Sequence, residues 1–109
     1  MNINDVKWSA EEKKIARNIF DKVYQTEVEE IKNTLIKKVQ KIKNGNDIWD
    51  INDFLTNKRI SIDKKYDYRY SRLIIVFGIL LSEKYLTVND LNGLNEEKIE
   101  MIKNVAKGF

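Results

Sequence analysis

Arg59 is the residue whose chemistry asks for an explanation first. At about 100° of rotation per residue, Ile48, Ile51, Leu55 and Ile62 form one apolar stripe of a predicted helix, and Arg59 falls in the middle of it. A guanidinium on such a stripe needs a partner, because burying it unpaired costs several kcal/mol, on the order of 3–5. Asp63, four residues on, is the local candidate. Trp49, Asp53 and Ile60 cluster on a neighbouring edge, roughly 80 to 140° round from Arg59, so a pair between Arg59 and Asp53 has to form between two chains. Trp49 suits an interface, where tryptophan is enriched among the residues that carry binding energy. This is the chemistry of recognition and assembly.

The chemistry that is missing points the same way. The chain has no cysteine and no histidine, which removes disulfides, thiolate and imidazole metal ligands, and every Ser-His or Cys-His nucleophile arrangement. Asp, Glu, Lys and Tyr remain as acids and bases, but no paired nucleophile and base stands out, and the expectation is a protein that is not an enzyme, with no cofactor and no metal.

The elements that position these residues are helices. A chain of 109 residues is the size of one domain, and with no proline and only four glycines long helices meet almost no obstacle. The predicted class is all-α. Ser9-Ala10-Glu11-Glu12 reads as a capping box opening a first helix that runs to about Lys43, where Asn44-Gly45-Asn46 stops it with Gly45 in the left-handed conformation. Roughly 35 residues make a rod of about 50 Å, while a compact domain of this size has a radius of gyration near 13 Å. The rod must project, yet its projecting part is apolar. Ile15, Ile19 and Val23 mark one stretch, and Val28, Ile31, Leu35, Val39 and Ile42 follow in the heptad rhythm of a helix packed lengthwise on another. Together with Ile48, Ile51 and Leu55 these residues are the expected dimer interface. Acidic Glu27, Glu29 and Glu30 precede a run of Lys32, Lys37, Lys38, Lys41 and Lys43, and antiparallel pairing of two chains would offset the blocks.

The second helix is expected from Asn46 or Asp47 to about Asp63, and a third from Tyr66 to Lys84, with Tyr66 and Tyr70 stacked at i, i+4 ahead of the apolar Leu73-to-Leu81 segment. That segment is nine residues long, about half of a bilayer span, and reads as a buried core helix. Gly78 permits a close helix approach. Thr87-Val88-Asn89-Asp90 opens a short helix, and Asn95 caps a last one whose Ile99, Ile102 and Val105 form an inward row. The arrangement predicted is one domain over residues 1–109: a dimerisation stalk at about 9–63 and a compact helical head at about 64–109, two chains making a four-helix stalk. Met1 to Lys7 carries no apolar leader segment, so a cytoplasmic location is expected.

The formal charge of +3 and the pI near 9.0 come from 20 basic against 17 acidic residues spread along the chain, a weak nucleic-acid signal. A helix-turn-helix reading of Leu86 to Ala106 would place three acids, Glu96, Glu97 and Glu100, against phosphate, so no nucleic-acid partner is expected. The seam on the first helix is narrow and lacks interfacial aromatics, so no membrane insertion is expected.

Several residues recur together in a known pattern: Lys7-Trp8-Ser9 before a long helix, Ile48-Trp49-Asp50-Ile51-Asn52-Asp53-Phe54-Leu55, Lys58-Arg59, Ile62-Asp63 and Lys65-Tyr66-Asp67. The chain resembles the fluorescence recovery protein family of cyanobacteria over nearly its whole length. The resemblance implies an all-helical homodimer without a cofactor that binds the light-activated orange carotenoid protein at its C-terminal domain. By speeding that protein's return to the orange form, it ends phycobilisome quenching. It also implies that Trp49, Asp53 and Arg59 lie at the dimer centre and carry function. The chain departs from the family pattern at Asp50 and Asn52, where a basic residue and a histidine are common, and at Ile75 and Met101, where an aromatic and a lysine can serve partner contact. Relatives occur in bacteria without the carotenoid protein, so the alternative is a dimeric regulator of a different protein partner.

Overall fold

A computed structural model describes residues 3–109; Met1 and Asn2, where the stretch read for targeting begins, lie outside the described residues. Four α-helices make up most of the fold: α1 (Ala10–Gln40), α2 (Gly45–Lys65), α3 (Leu73–Ser82) and α4 (Glu96–Lys107), with short 3-10 turns at Ile3–Asp5 and Val88–Leu91. The all-α class is as predicted. The molecule measures 54 × 22 × 21 Å with a radius of gyration of 16.8 Å, against about 13 Å for a compact chain of this length. It is a globule with an arm.

α1 starts where the capping box places it. Ser9 Oγ accepts the amide of Glu12 at 3.1 Å, and Glu12 Oε1 accepts the amide of Ser9 at 3.1 Å. The other end differs from expectation. α1 stops at Gln40 and turns through Lys41 at φ −100°, and Gly45 is not left-handed but opens α2. Two polar side chains explain it. Asn44 caps α2 by accepting the Asp47 amide at 3.2 Å, while the Asp47 carboxylate accepts the Lys43 amide at 2.9 Å. With these amides satisfied, the reversal needs no left-handed residue.

The head packs around α3. Leu73, Ile74, Phe77 and Leu80 of α3, Leu86 and Leu91 of the following loop and Ile102 of α4 are fully buried, with Ile99 and Val105 packed against them. The first half of α1 forms another wall of this core through Ala16, Ile19, Phe20 and Val23, with Trp8 before it. Gly78 works as expected: a Cβ there would lie 2.3 Å from Val105 Cγ1, so its absence lets α3 and α4 meet. Thr87 and Asp90 cap each other as a box, but the element they open is a 3-10 turn rather than an α-helix. Asn95 caps α4 by accepting the Lys98 amide at 2.9 Å.

The largest departure is at Tyr66 to Arg72, which is not helical; the third helix begins only at Leu73. Tyr66 and Tyr70 therefore do not stack one turn apart. Instead Tyr66 and Tyr68 both set an edge against Phe20 of α1, at centroid distances of 5.4 and 4.8 Å, and Tyr70 reaches Trp8 at 6.2 Å. This irregular stretch, ending in a turn at 70–72, lets all three tyrosines lie along α1. A helix would send two of them elsewhere, and the ring packing outweighs the local helical preference. Burial and the neighbouring Tyr70 push the Tyr68 phenol up to about 12.

One buried ion pair closes the head. Lys98 Nζ donates to Glu12 Oε1 at 3.0 Å, the Asn95 amide donates to Glu12 Oε2 at 3.0 Å, and the Lys98 ammonium lies 5.2 Å from the Trp8 ring. The start of α1 is thereby bonded to the start of α4. Burial alone would raise the Glu12 pKa, but the amides of Asn95 and Ser9 and the Lys98 ammonium together hold it below the ordinary value of 4.5.

Two outcomes follow. Gly78→Ala forces Val105 aside and should destabilise the chain by about 1–3 kcal/mol, with Val105→Ala restoring part of the loss in a thermal-melting cycle. Glu12→Gln leaves Lys98 without its charged partner and should cost about 3 kcal/mol at neutral pH. Because Glu12 titrates lower folded than unfolded, its contribution is complete above the ordinary carboxyl range and disappears as pH falls through the lower folded value. Denaturant titrations of wild type and Glu12→Gln should therefore converge in acid.

Candidate protein-binding and dimer surface

The arm is a helical hairpin. α2 returns antiparallel along the second half of α1, as shown by the Lys38 ammonium 5.0 Å from the Phe54 ring near the tip and Tyr24 packed edge-on to Tyr66 at 5.2 Å near the base. At the base sits a second buried charge cluster. Lys65 Nζ lies 2.7 Å from Glu27 and 2.8 Å from Glu83, and Tyr66 Oη donates to Glu27 at 2.8 Å. Tyr85 Oη donates to Glu30. Burial first, then Glu27, drives the Tyr66 phenol far above the ordinary tyrosine range; the bond to Glu30 does the same for Tyr85.

From the sequence Glu12 reads only as half of a cap, Glu27 as part of an acidic block and Lys65 as part of a family pattern, and neither these nor Lys98 is expected in a buried ion pair. The signal was present. Lys98 stands one turn before Ile102, Lys65 stands three residues after Ile62, and Glu27 stands one turn after Val23. All three are charges on an inward row, and such charges must be paired.

Along the arm, large apolar side chains face solvent. Val39 is 51%, Ile48 49% and Ile60 50% exposed, and Val28, Ile36, Ile42 and Leu55 are also exposed, while Ile31, Leu35 and Ile51 are half-buried. Helical rotation of about 100° per residue, with the antiparallel pairing just described, puts Val28, Leu35 and Val39 on the same side of the hairpin as Ile48, Leu55 and Arg59, while Ile42 lies in the turn just beyond α1. Ile31 and Ile51 lie nearer the contact between the two helices. Lys32 borders the same side next to Val39.

Arg59 itself is not buried in the chain. Its side chain is 85% exposed, with Nε 3.7 Å from Asp63 Oδ2, the local partner foreseen at i+4. A pair this long and exposed contributes little to stability, so the guanidinium stays available. Trp49, 66% exposed, and Asp53, also exposed, lie with Ile60 on the face of α2 turned away from α1. Arg59 and the Trp49–Asp53 pair are thus on adjoining faces of one helix and do not meet within a chain. Asp50 and Asn52 beside them are exposed, Ile75 is half-buried in α3, and Met101 is half-buried in α4.

Among the described residues no group of three His, Cys, Asp or Glu side chains is placed to hold a metal ion, and no helix is long and apolar enough to cross a membrane. What the arm offers chemically is apolar area edged by an arginine, a carboxylate and an indole.

Residues 8–106 match the sequence profile of a family described as photoprotection regulator fluorescence recovery protein. The chain is 37% identical over 100 residues to the fluorescence recovery protein of Synechocystis sp. (strain ATCC 27184 / PCC 6803 / Kazusa), covering 92% of each. The fold superposes on the structure of the Fremyella diplosiphon fluorescence recovery protein with a TM-score of 0.89 at 34% identity, covering 93% of this chain and 99% of that one. It does so equally on the structure of the Synechocystis sp. PCC 6803 protein, with a TM-score of 0.89 and 37% identity over the same shares. Sequence and fold agree along almost the full length, and the chain belongs to the fluorescence recovery protein family of photoprotection regulators.

Proposed function

We propose that the chain is a non-enzymatic, cytoplasmic homodimer that binds the light-activated orange carotenoid protein and accelerates its return to the resting form, ending phycobilisome quenching. The observation that carries this reading is the uncovered apolar side of the arm. Val28 and Val39 of α1 and Ile48 and Leu55 of α2 are each more than a third exposed there, on a projection that the head does not shelter. A second copy laid antiparallel covers that side, sets the Glu27-to-Glu30 segment of one chain near the lysines of the other, and brings Arg59 within reach of a partner's Asp53. Trp49 then stands close to the centre of a four-helix stalk. The heads remain at the two ends, free to contact a protein.

Rate enhancement in such a system comes from differential binding. The regulator must hold the path back to the resting state more tightly than the activated state itself. No nucleophile or bound cofactor is needed. The departures at Asp50 and Asn52, both exposed beside Trp49, favour as second reading a dimeric regulator of the same build with a different protein partner.

Mixing excess protein with photoactivated orange carotenoid protein and following absorbance in the dark should show faster recovery; an unchanged rate defeats the first reading and leaves the second. Assembly is tested separately by sedimentation. Wild type should run at twice the 12.9 kDa chain mass, and Leu35→Arg should run as a single chain. Arg59→Asp should weaken the dimer by about tenfold or more, since like charges then face each other, and adding Asp53→Arg should recover it. A double variant no better than the single one excludes the pair between chains.

A further inference from the structure

Six aromatic rings form an unbroken row across the head. Trp8 meets Tyr70 at 6.2 Å between centroids, Tyr70 meets Tyr68 at 5.7 Å, Tyr68 meets Phe20 at 4.8 Å, Phe20 meets Tyr66 at 5.4 Å and Tyr66 meets Tyr24 at 5.2 Å. Tyr70, next to the buried Trp8 at one end, and Tyr24 at the other end are each more than a third exposed, while Phe20 is buried between them. Packing alone accounts for clustered rings. It does not account for how the polar atoms of the row are placed.

Removing one electron from an indole or phenol makes its N–H or O–H strongly acidic, so the vacancy rests where an acceptor takes the proton. Trp8 Nε1 is buried with no hydrogen-bond partner. Among the described residues Tyr68 Oη reaches the Lys13 carbonyl, at 3.4 Å, and the Tyr70 phenol, neither of which is a carboxylate. Tyr66 alone within the row donates to a carboxylate, Glu27 at 2.8 Å, which Lys65 holds in place at 2.7 Å. The proton acceptor is built into the middle of the row and is missing from its tryptophan end.

We infer that this row is a relay for oxidising equivalents, carrying a one-electron vacancy from the surface rings to Tyr66, where it settles as a neutral phenoxyl radical with its proton on Glu27. The co-reactant is an outer-sphere one-electron oxidant. It takes one electron from Tyr70 or Tyr24 and is itself reduced by one. The vacancy reaches Tyr66 directly from Tyr24, or from Tyr68 by electron transfer through the Phe20 ring, which bridges the two phenols without itself being oxidised, and the Tyr66 O–H bond breaks as the proton passes to Glu27 Oε1. A small one-electron reductant such as ascorbate returns the electron, Glu27 returns the proton, and the phenol is restored. The relay is independent of the proposed partner and would spare Trp8, on which the head packs, from irreversible oxidation.

The test uses full-length protein carrying Trp49→Phe, which removes the exposed indole as a competing donor. Photogenerated tris(bipyridine)ruthenium(III) with persulfate supplies the oxidant, and freeze-quenched electron paramagnetic resonance with peptide mass mapping reads the site. A tyrosyl signal is expected, lost in Tyr66→Phe and kept in Tyr85→Phe, whose bond to Glu30 lies outside the row. Glu27→Gln should lower the signal and raise oxidation products at Trp8. Circular dichroism checks that each variant folds, and should Tyr66→Phe not fold, mass mapping of the parent protein decides. Products on Tyr66 support the relay; a signal unchanged by Tyr66→Phe, or products on Tyr70 and Trp8 alone, overturn it.

Discussion

Lys65 is the last residue of α2, and three parts of the chain meet at its ammonium. Glu27 comes from the middle of α1, Glu83 from the end of α3, and the rings of Tyr66 and Tyr85 lie at 5.4 and 5.2 Å. A charge buried to this degree is tolerated only when its partners are in place. The cluster therefore fixes where α2 ends, how the chain leaves it, and the direction in which the hairpin departs from the head. Were Lys65 to lose Glu27, the tyrosine stretch would lose its anchor on α1 at the same time, because Tyr66 shares that carboxylate. The geometry of the arm rests on one shared acid.

From that junction the arm extends with little of its own to hold it straight. Its two helices touch through Phe54 and the lysine stems near the tip and through aromatic rings at the base, and much of its apolar surface is left in water. A long projection with an exposed aliphatic side is stable where something lies along it. The head is the reverse case, with a closed core and buried charges paired. The chain thus separates a finished globule from an unfinished surface.

Much of this was legible in the residues. Ser9 with Glu12, Asn95 and the missing proline set α-helix starts that the structure keeps, and in the apolar row from Val28 to Ile42 the structure leaves Val28, Val39 and Ile42 exposed and Ile31 and Leu35 half-buried. Arg59 with Asp63 follows from i, i+4 spacing alone. The turn at Gly45 was misread because glycine after a helix usually marks a left-handed stop, whereas here Asn44 and Asp47 satisfy the amides around it. The stretch from Tyr66 to Arg72 was misread because local preference cannot register Phe20 and Trp8, some fifty to sixty residues away in sequence. Lys98 and Lys65 stand on inward rows and so announce a need for partners, but which acids answer them is decided by other helices.

The two tryptophans occupy opposite environments. Trp8 is sealed beneath the Lys98 ammonium in the head, and Trp49 stands in water on the arm. Their emission should differ in colour and in access to a soluble quencher, so the chain carries an internal optical label for each of its halves. Events at the tip and events in the globule are separable in one spectrum without attaching a dye.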